Sequence, residues 1–161
     1  MKACYCGSGQ SYAQCCQPFH KGLKTPTSPE ALMRSRYAAY CVADIAYIQA
    51  TMRDKASLGF DPTSAKLWAE RVIWVKLQVL HTEQASSTQG FVEFIASFVD
   101  GKTLQHMREI SEFLYTDGRW FYVDGKPNAL QPSPTSSILS RNSPCPCDSG
   151  KKWKYCHSSV Y

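Results

Sequence analysis

Between residues 29 and 127 the apolar positions change their period once, and that change divides the chain. Along ALMRSRYAAYCVADIAYIQATM, Leu32, Met33, Tyr37, Tyr40 and Cys41 recur at three- and four-residue steps. That is the spacing of one face of an α-helix. Ile45, Ile48 and Met52 carry a second apolar stripe past Asp44. Ser28-Pro29-Glu30 starts the first helix well, with a hydroxyl cap, proline at the first helical position and an acid in the first turn. Asp61-Pro62 opens a shorter helix holding Leu67, Trp68 and Val72. From Ile73 or Trp74 the period falls to two. RVIWVKLQVL, FVEFIASFV, LQHMREISEFLY and RWFYVDG read as strands, punctuated by Ser86-Ser87-Thr88, Asp100-Gly101 and Asp117-Gly118. The last two are good hairpin turns.

Helices first and then an antiparallel meander of about four strands predict an α+β domain with the helices packed on one face of the sheet. On the third strand, alternation puts Glu109, Ser111, Phe113 and Tyr115 on one face and His106 and Arg108 on the other. Residues 22–28 and 128–141 are rich in proline, threonine or serine and read as linkers, leaving 29–127 as the central domain. With 43% hydrophobic residues in 161, a core of ordinary size is within reach. No apolar run approaches the roughly 20 residues of a membrane span. The residues after Lys2 are rich in Cys, Gly, Ser and Gln and lack the apolar stretch of a signal peptide. The expectation is a soluble, cytoplasmic protein.

The two ends follow a different grammar. Seven of the eight cysteines lie there, as Cys4-x-Cys6-x8-Cys15-Cys16 within 1–21 and Cys145-x-Cys147-x8-Cys156-His157 within 142–161. The copies also share Ser8 with Ser149, Gly9 with Gly150, and the aromatics Tyr12 and Trp153. Tetrahedral zinc takes Cys4 or Cys3His sets, and four protein ligands close a structural site. The exchange of Cys16 for His157 suits zinc, whereas a disulfide cannot use histidine. Vicinal Cys15-Cys16 and the close Cys4-x-Cys6 pair would also strain a disulfide, and an iron–sulfur cluster normally takes four thiolates. Two structural zinc ions per chain are expected. Gly-Ser-Gly and Asp-Ser-Gly would turn the backbone so that amides face the thiolates. His20 and His81 read as surface residues and Cys41 as a small core residue.

The pattern CxCxSGxxΦxxC[CH] resembles the SEC-C motif, the short zinc knuckle at the tail of the SecA translocation motor. The second copy matches through Cys145-Pro146-Cys147, Ser149-Gly150-Lys151-Lys152, Lys154 and Cys156-His157. The first has Tyr5 for proline and Gln10-Ser11 for Lys-Lys. The resemblance implies a surface that docks a protein partner, with Lys151, Lys152, Trp153 and Lys154 as the candidate patch. The order of helices and strands resembles the NTF2-like fold, a curved sheet wrapped around helices to form a cone. With LMRSRYAAY and GRWFYVDG, the whole chain is similar to the YchJ-like family.

That cone offers Glu109, Ser111 and Tyr37 as pocket candidates, with Tyr40 and Asp44 facing them. A carboxylate among aromatics suits a general base; equally, Glu109 can pair with Arg34 or Arg36 as a structural contact. NTF2-like sheets often dimerise through the outer face, and Phe91, Phe94 and Trp120 would serve such a contact or the core. Three functions follow: an adaptor docking through its knuckles, an enzyme or small-ligand binder using the cavity, and a binder of RNA or the ribosome through the basic second knuckle. The formal charge of +5 does not favour the last. A four-thiolate site around a divalent ion carries −2 and a three-thiolate, one-imidazole site −1, which leaves about +2.

Overall fold

The computed structural model describes residues 2–127 and 136–158. Helix α1 (Gln17–His20) follows the first cysteine cluster, and α2 spans Pro29–Cys41. The Ser28 hydroxyl accepts the Ala31 amide at 3.1 Å, capping α2 as its sequence demands. Ala43, in the left-handed region with φ 53°, breaks the helix. The Asp44 carboxylate then accepts the Tyr47 amide at 3.0 Å and starts α3 (Ile45–Ala50). A 3-10 turn over Asp54–Ser57 leads to α4 (Pro62–Arg71), capped by Asp61 on the Thr63 amide at 3.0 Å.

Strands β1 (Ile73–Gln84), β2 (Gln89–Asp100), β3 (Thr103–Thr116) and β4 (Arg119–Pro127) form the antiparallel meander in sequential order. Register shifts at Trp74/Lys76 and Val79/His81 in β1, and at Glu112/Phe113 between β3 and β4, mark irregularities in the pairing. Such bulges bend a strand and add twist. Val92, Phe94, Ala96, Phe113 and Trp120 pack with Leu32, Met33 and Tyr37 of α2 in the main core. Phe94 and Trp120 are therefore core residues at 6% exposure each, which removes them from an outer-face contact; Phe91, on the opposite face, is half-buried.

After α3 the chain runs along β4. The Tyr122 amide donates to the Thr51 carbonyl at 2.9 Å and the Arg53 amide to the Tyr122 carbonyl at 3.0 Å, so the otherwise open edge of the sheet is covered here. Within the stretch read as a linker, residues 128–135 lie outside the described part. Ser137–Ile138 form β5 and pair with Thr103 and Leu104 of β3. Among the described residues no helix is long and apolar enough to cross a membrane.

Candidate metal centres and the central cavity

The two cysteine-rich ends have the same backbone, offset by 141 positions. The Cys4 amide donates to the Gln10 carbonyl at 2.7 Å, and the Cys145 amide to the Lys151 carbonyl at 2.8 Å. Tyr12 donates to Lys2 at 3.0 Å as Trp153 donates to Ser143 at 2.8 Å. Ala3 bridges Ser11, and Pro144 bridges Lys152. The tight loop needs left-handed residues at two places. Gly7 and Asp148 take the first at φ 76° and 61°, Gly9 and Gly150 the second at 79° and 72°. Aspartate tolerates that region better than most L-residues, which explains why it alone replaces a glycine here.

The loop brings four donor atoms together in each copy, all within 4.8 Å of one another: Cys4, Cys6, Cys15 and Cys16, then Cys145, Cys147, Cys156 and His157. Sulfur–sulfur separations are 3.6 Å for Cys6–Cys15, 3.8 Å for Cys15–Cys16 and 3.5 Å for Cys147–Cys156. His157 Nδ1 lies 3.2 Å from Cys145 Sγ and 3.3 Å from Cys156 Sγ. A tetrahedron with metal–sulfur bonds of about 2.3 Å has edges near 3.8 Å, whereas a disulfide is about 2.05 Å long. None of the eight cysteines forms a disulfide. Each donor set thus fits one four-coordinate metal ion, with no position left open for a substrate.

Electrostatics point the same way. Hydrogen bonding from the Cys16 thiol, joined by the Ser8 hydroxyl and amide, pulls the Cys6 thiol well below its ordinary range, while burial pushes Cys4 up. In the second copy burial opposes ionisation of Cys147. Hydrogen bonds from the Ser149 hydroxyl, the Cys145 thiol and the Ser149 amide outweigh it, so Cys147 is pushed down as Cys145 is pushed up by burial. Without a counter-ion Cys6 and Cys147 ionise more readily than an ordinary thiol, while burial makes Cys4 and Cys145 resist. A divalent cation removes that resistance, and its binding releases protons.

Neither knuckle stands apart from the body. In the first, Arg34 of α2 donates to the Cys6 carbonyl at 2.8 Å and pairs with Glu30 at 2.8 Å, so it does not pair with Glu109. His20 is not a surface residue. Its Nε2–H donates to the Ser35 carbonyl at 2.8 Å and its Nδ1 accepts from the Tyr12 hydroxyl at 2.8 Å, a tautomer fixed because a carbonyl can only accept. His81 is exposed, as expected, and Cys41 is half-buried beside the main core. In the second knuckle Trp153 is 7% exposed and packs with Val75, Val99 and Leu104 on the sheet face away from α2. Trp153 is thereby lost to the expected docking patch. Lys151 and Lys152 remain exposed, Lys154 is half-buried with its ammonium 4.9 Å from the Tyr155 ring, and Tyr155 is 67% exposed. Lys76 of β1 pairs with Asp148 of the loop.

No short stretch of residues relates the positions of the two ends. Both border one groove, to which the first knuckle contributes Lys2, Cys4 and Tyr5, and the second Cys147, Cys156 and His157. Its floor is Val75 to Leu77.

On the helix side of the sheet lies a cavity of about 190 Å³. It gathers the three sequence candidates Tyr37, Glu109 and Ser111, together with Arg36, Tyr40 and Tyr122. Alternation holds on β3: His106 and Arg108 face the other way, to Ser97 and Glu93. Glu109 Oε1 accepts from Ser111 at 2.7 Å and from Tyr122 at 3.0 Å. Gly125 makes this possible, since a Cβ there would collide with both the Tyr122 hydroxyl and the Glu109 carboxylate. Asp44 instead caps α3. Arg36 is 7% exposed, donates through Nη1 to the Ile48 carbonyl at 2.8 Å and Thr51 Oγ1 at 2.7 Å, and lies 4.6 Å from the Tyr122 ring. Burial lowers its proton affinity.

A curved sheet backed by helices, with a cysteine-rich metal motif at each end, defines an NTF2-like body carrying SEC-C-type knuckles. The model for the YchJ middle NTF2-like domain matches residues 28–125, and that for the SEC-C motif matches residues 141–159. A UPF0225 protein of Geobacter sulfurreducens is 39% identical, covering 95% of this chain and 96% of its own. One of Serratia proteamaculans is 40% identical over 95% and 96%. Among solved structures, a SEC-C motif containing protein of Rhodopseudomonas palustris shares 39% identity with a TM-score of 0.71, over 77% of this chain and 97% of that one. Another from Psychrobacter arcticus shares 30% with a TM-score of 0.65, over 96% and 89%. The chain belongs to the YchJ, or UPF0225, family.

Proposed function

We propose that this protein is an adaptor whose two knuckles each hold a structural zinc ion and together dock a protein partner. The observation that carries the reading is the pair of closed four-donor sets bordering one groove. Soft thiolates with a single imidazole suit zinc, and four protein ligands leave it no catalytic coordination site. Adjacent knuckles let a single partner engage both, with Lys151 and Lys152 offering an acidic surface its counter-charge.

Purified under reducing conditions, the protein carries two zinc ions per chain by native mass spectrometry, and Cys156→Ser carries one. One ion or none in the wild type refutes the zinc assignment. Docking is tested separately by cross-linking in cells with the double variant Lys151→Glu/Lys152→Glu. The reading requires nuclease-resistant protein cross-links that this variant loses. Cross-links unchanged by the charge reversal, or abolished by nuclease, refute it.

A further inference from the structure

The central cavity holds two opposite charges that do not touch. Arg36 uses only Nη1 for hydrogen bonds, and its Nε–H and Nη2 groups have no hydrogen-bond or ion-pair partner among the described residues. Glu109 uses only Oε1, which leaves Oε2 without a partner among the described residues. Both line the same space and both touch Tyr122. A third group stands on the wall: Trp74 Nε1 is the one buried side-chain nitrogen or oxygen without a hydrogen-bond partner among the described residues. A buried polar group left unsatisfied is costly, and Trp74 Nε1 together with the open sides of Arg36 and Glu109 gives the cavity hydrogen-bonding capacity for something else to complete.

The remaining wall is flat and aromatic. Trp68 and Trp74 meet edge to face at 5.0 Å, and Tyr37 and Tyr40 have ring centres 5.5 and 5.8 Å from Trp74. A cavity of about 150 Å³ holds benzene, so the 190 Å³ here suits one ring with a small substituent. Met107, which lines the cavity at 36% exposure, puts part of it in reach of solvent.

We infer that this cavity binds a neutral single-ring molecule carrying a carbonyl beside an N–H, an aromatic amide or a lactam. The carbonyl oxygen accepts from Arg36 and the N–H donates to Glu109 Oε2, while the ring lies among the tryptophans and tyrosines. An anion would satisfy Arg36 but set a second negative charge beside Glu109. A cation would do the reverse beside Arg36. A purely apolar ring would leave the open sides of both Arg36 and Glu109 unused. Only a group that donates and accepts at adjacent atoms answers both. This inference is independent of zinc and of docking.

Benzamide is the probe, with benzoate and toluene as comparisons, titrated into the full-length, metal-loaded protein. Calorimetry and the fluorescence of Trp68 and Trp74 report binding. Benzamide is expected to saturate one site near about 1 mM, as fits a ligand of its size. Benzoate and toluene are expected to bind at least about tenfold more weakly, because each loses one charge-assisted hydrogen bond or both. Glu109→Gln weakens benzamide about tenfold, since the acceptor becomes partly a donor. Ala96→Leu, which adds bulk to the wall at a residue 1% exposed, abolishes binding. Equal or tighter binding of benzoate makes this an anion site, and of toluene an apolar void. No saturation by any of the three makes it a water-filled gap. Each of those results overturns the proposal, and the wild-type comparison stands even if a variant fails to fold.

Discussion

Replacing Trp153 with alanine separates two roles for the same residue. The indole is 7% exposed and joins the second knuckle to Val75, Val99 and Leu104 of the sheet. A buried tryptophan covers about 150–250 Å², which at about 25 cal/mol per Å² is roughly 4–6 kcal/mol of transfer free energy. Tryptophan-to-alanine changes in cores cost about 3–5 kcal/mol. The knuckle rests on the outside of the sheet and can settle inward, so the lower figure, about 3 kcal/mol, applies. For a chain of this size each kcal/mol moves the melting temperature by about 2–4 °C, giving a drop of about 6–12 °C. Scanning calorimetry with saturating zinc measures it, with Lys152→Ala as the control, expected within about 0.5 kcal/mol of wild type. A Trp153→Ala protein that keeps both metals and melts within about 1 °C of wild type would show the tryptophan to be a docking residue after all, and the burial argument would be wrong.

Three further outcomes are expected. The first four-donor cluster has three cysteines at 0–6% exposure, whereas Cys147, Cys156 and His157 of the second are half-buried. A chelator with a colour readout should therefore strip one equivalent quickly and the other slowly, and Cys156→Ser should lose only the fast phase. His20→Phe keeps the ring packed on Tyr47, now 4.7 Å away, but removes the links to Tyr12 and Ser35. It should cost about 1–3 kcal/mol in urea melts and speed metal loss from the first site alone. Burial lowers the pKa of His106, whose Nδ1 lies 2.8 Å from the Ser97 hydroxyl. The unfolded chain therefore binds a proton more readily than the folded one. Stability should decline as pH falls through the ordinary imidazole value of about 6.5 and toward the lower folded one. Melting temperatures between pH 7.5 and 5.5 (round values on either side of that imidazole pKa, about 6.5) should fall less steeply in His106→Asn, and identical slopes would contradict the assignment.

Much of this molecule was readable from short stretches. The clustering of four donors within each thirteen-residue end, the caps at Ser28 and Asp61, the hairpin turns and the faces of β3 all depend on residues close together in the chain. Spacing along the chain fixes such features, because local backbone geometry decides which atoms can meet. Arg34, Arg36 and His20 were misjudged or left undecided for the opposite reason. Each carries a polar group whose partner is set by packing: the Cys6 carbonyl, the Ile48 carbonyl and the Ser35 carbonyl. Residue type announces that a donor needs an acceptor, but not which one.

From the sequence alone came two four-donor knuckles and an α+β body of helices followed by a meander. The tertiary structure decided that the knuckles share a groove, that Trp153 belongs to the core, and that Arg36 and Glu109 line one aromatic cavity. Setting Cys4, Cys147 and His157 along one groove takes the register of the whole sheet. That register follows from many weak contacts acting together, and no single stretch of chain encodes it.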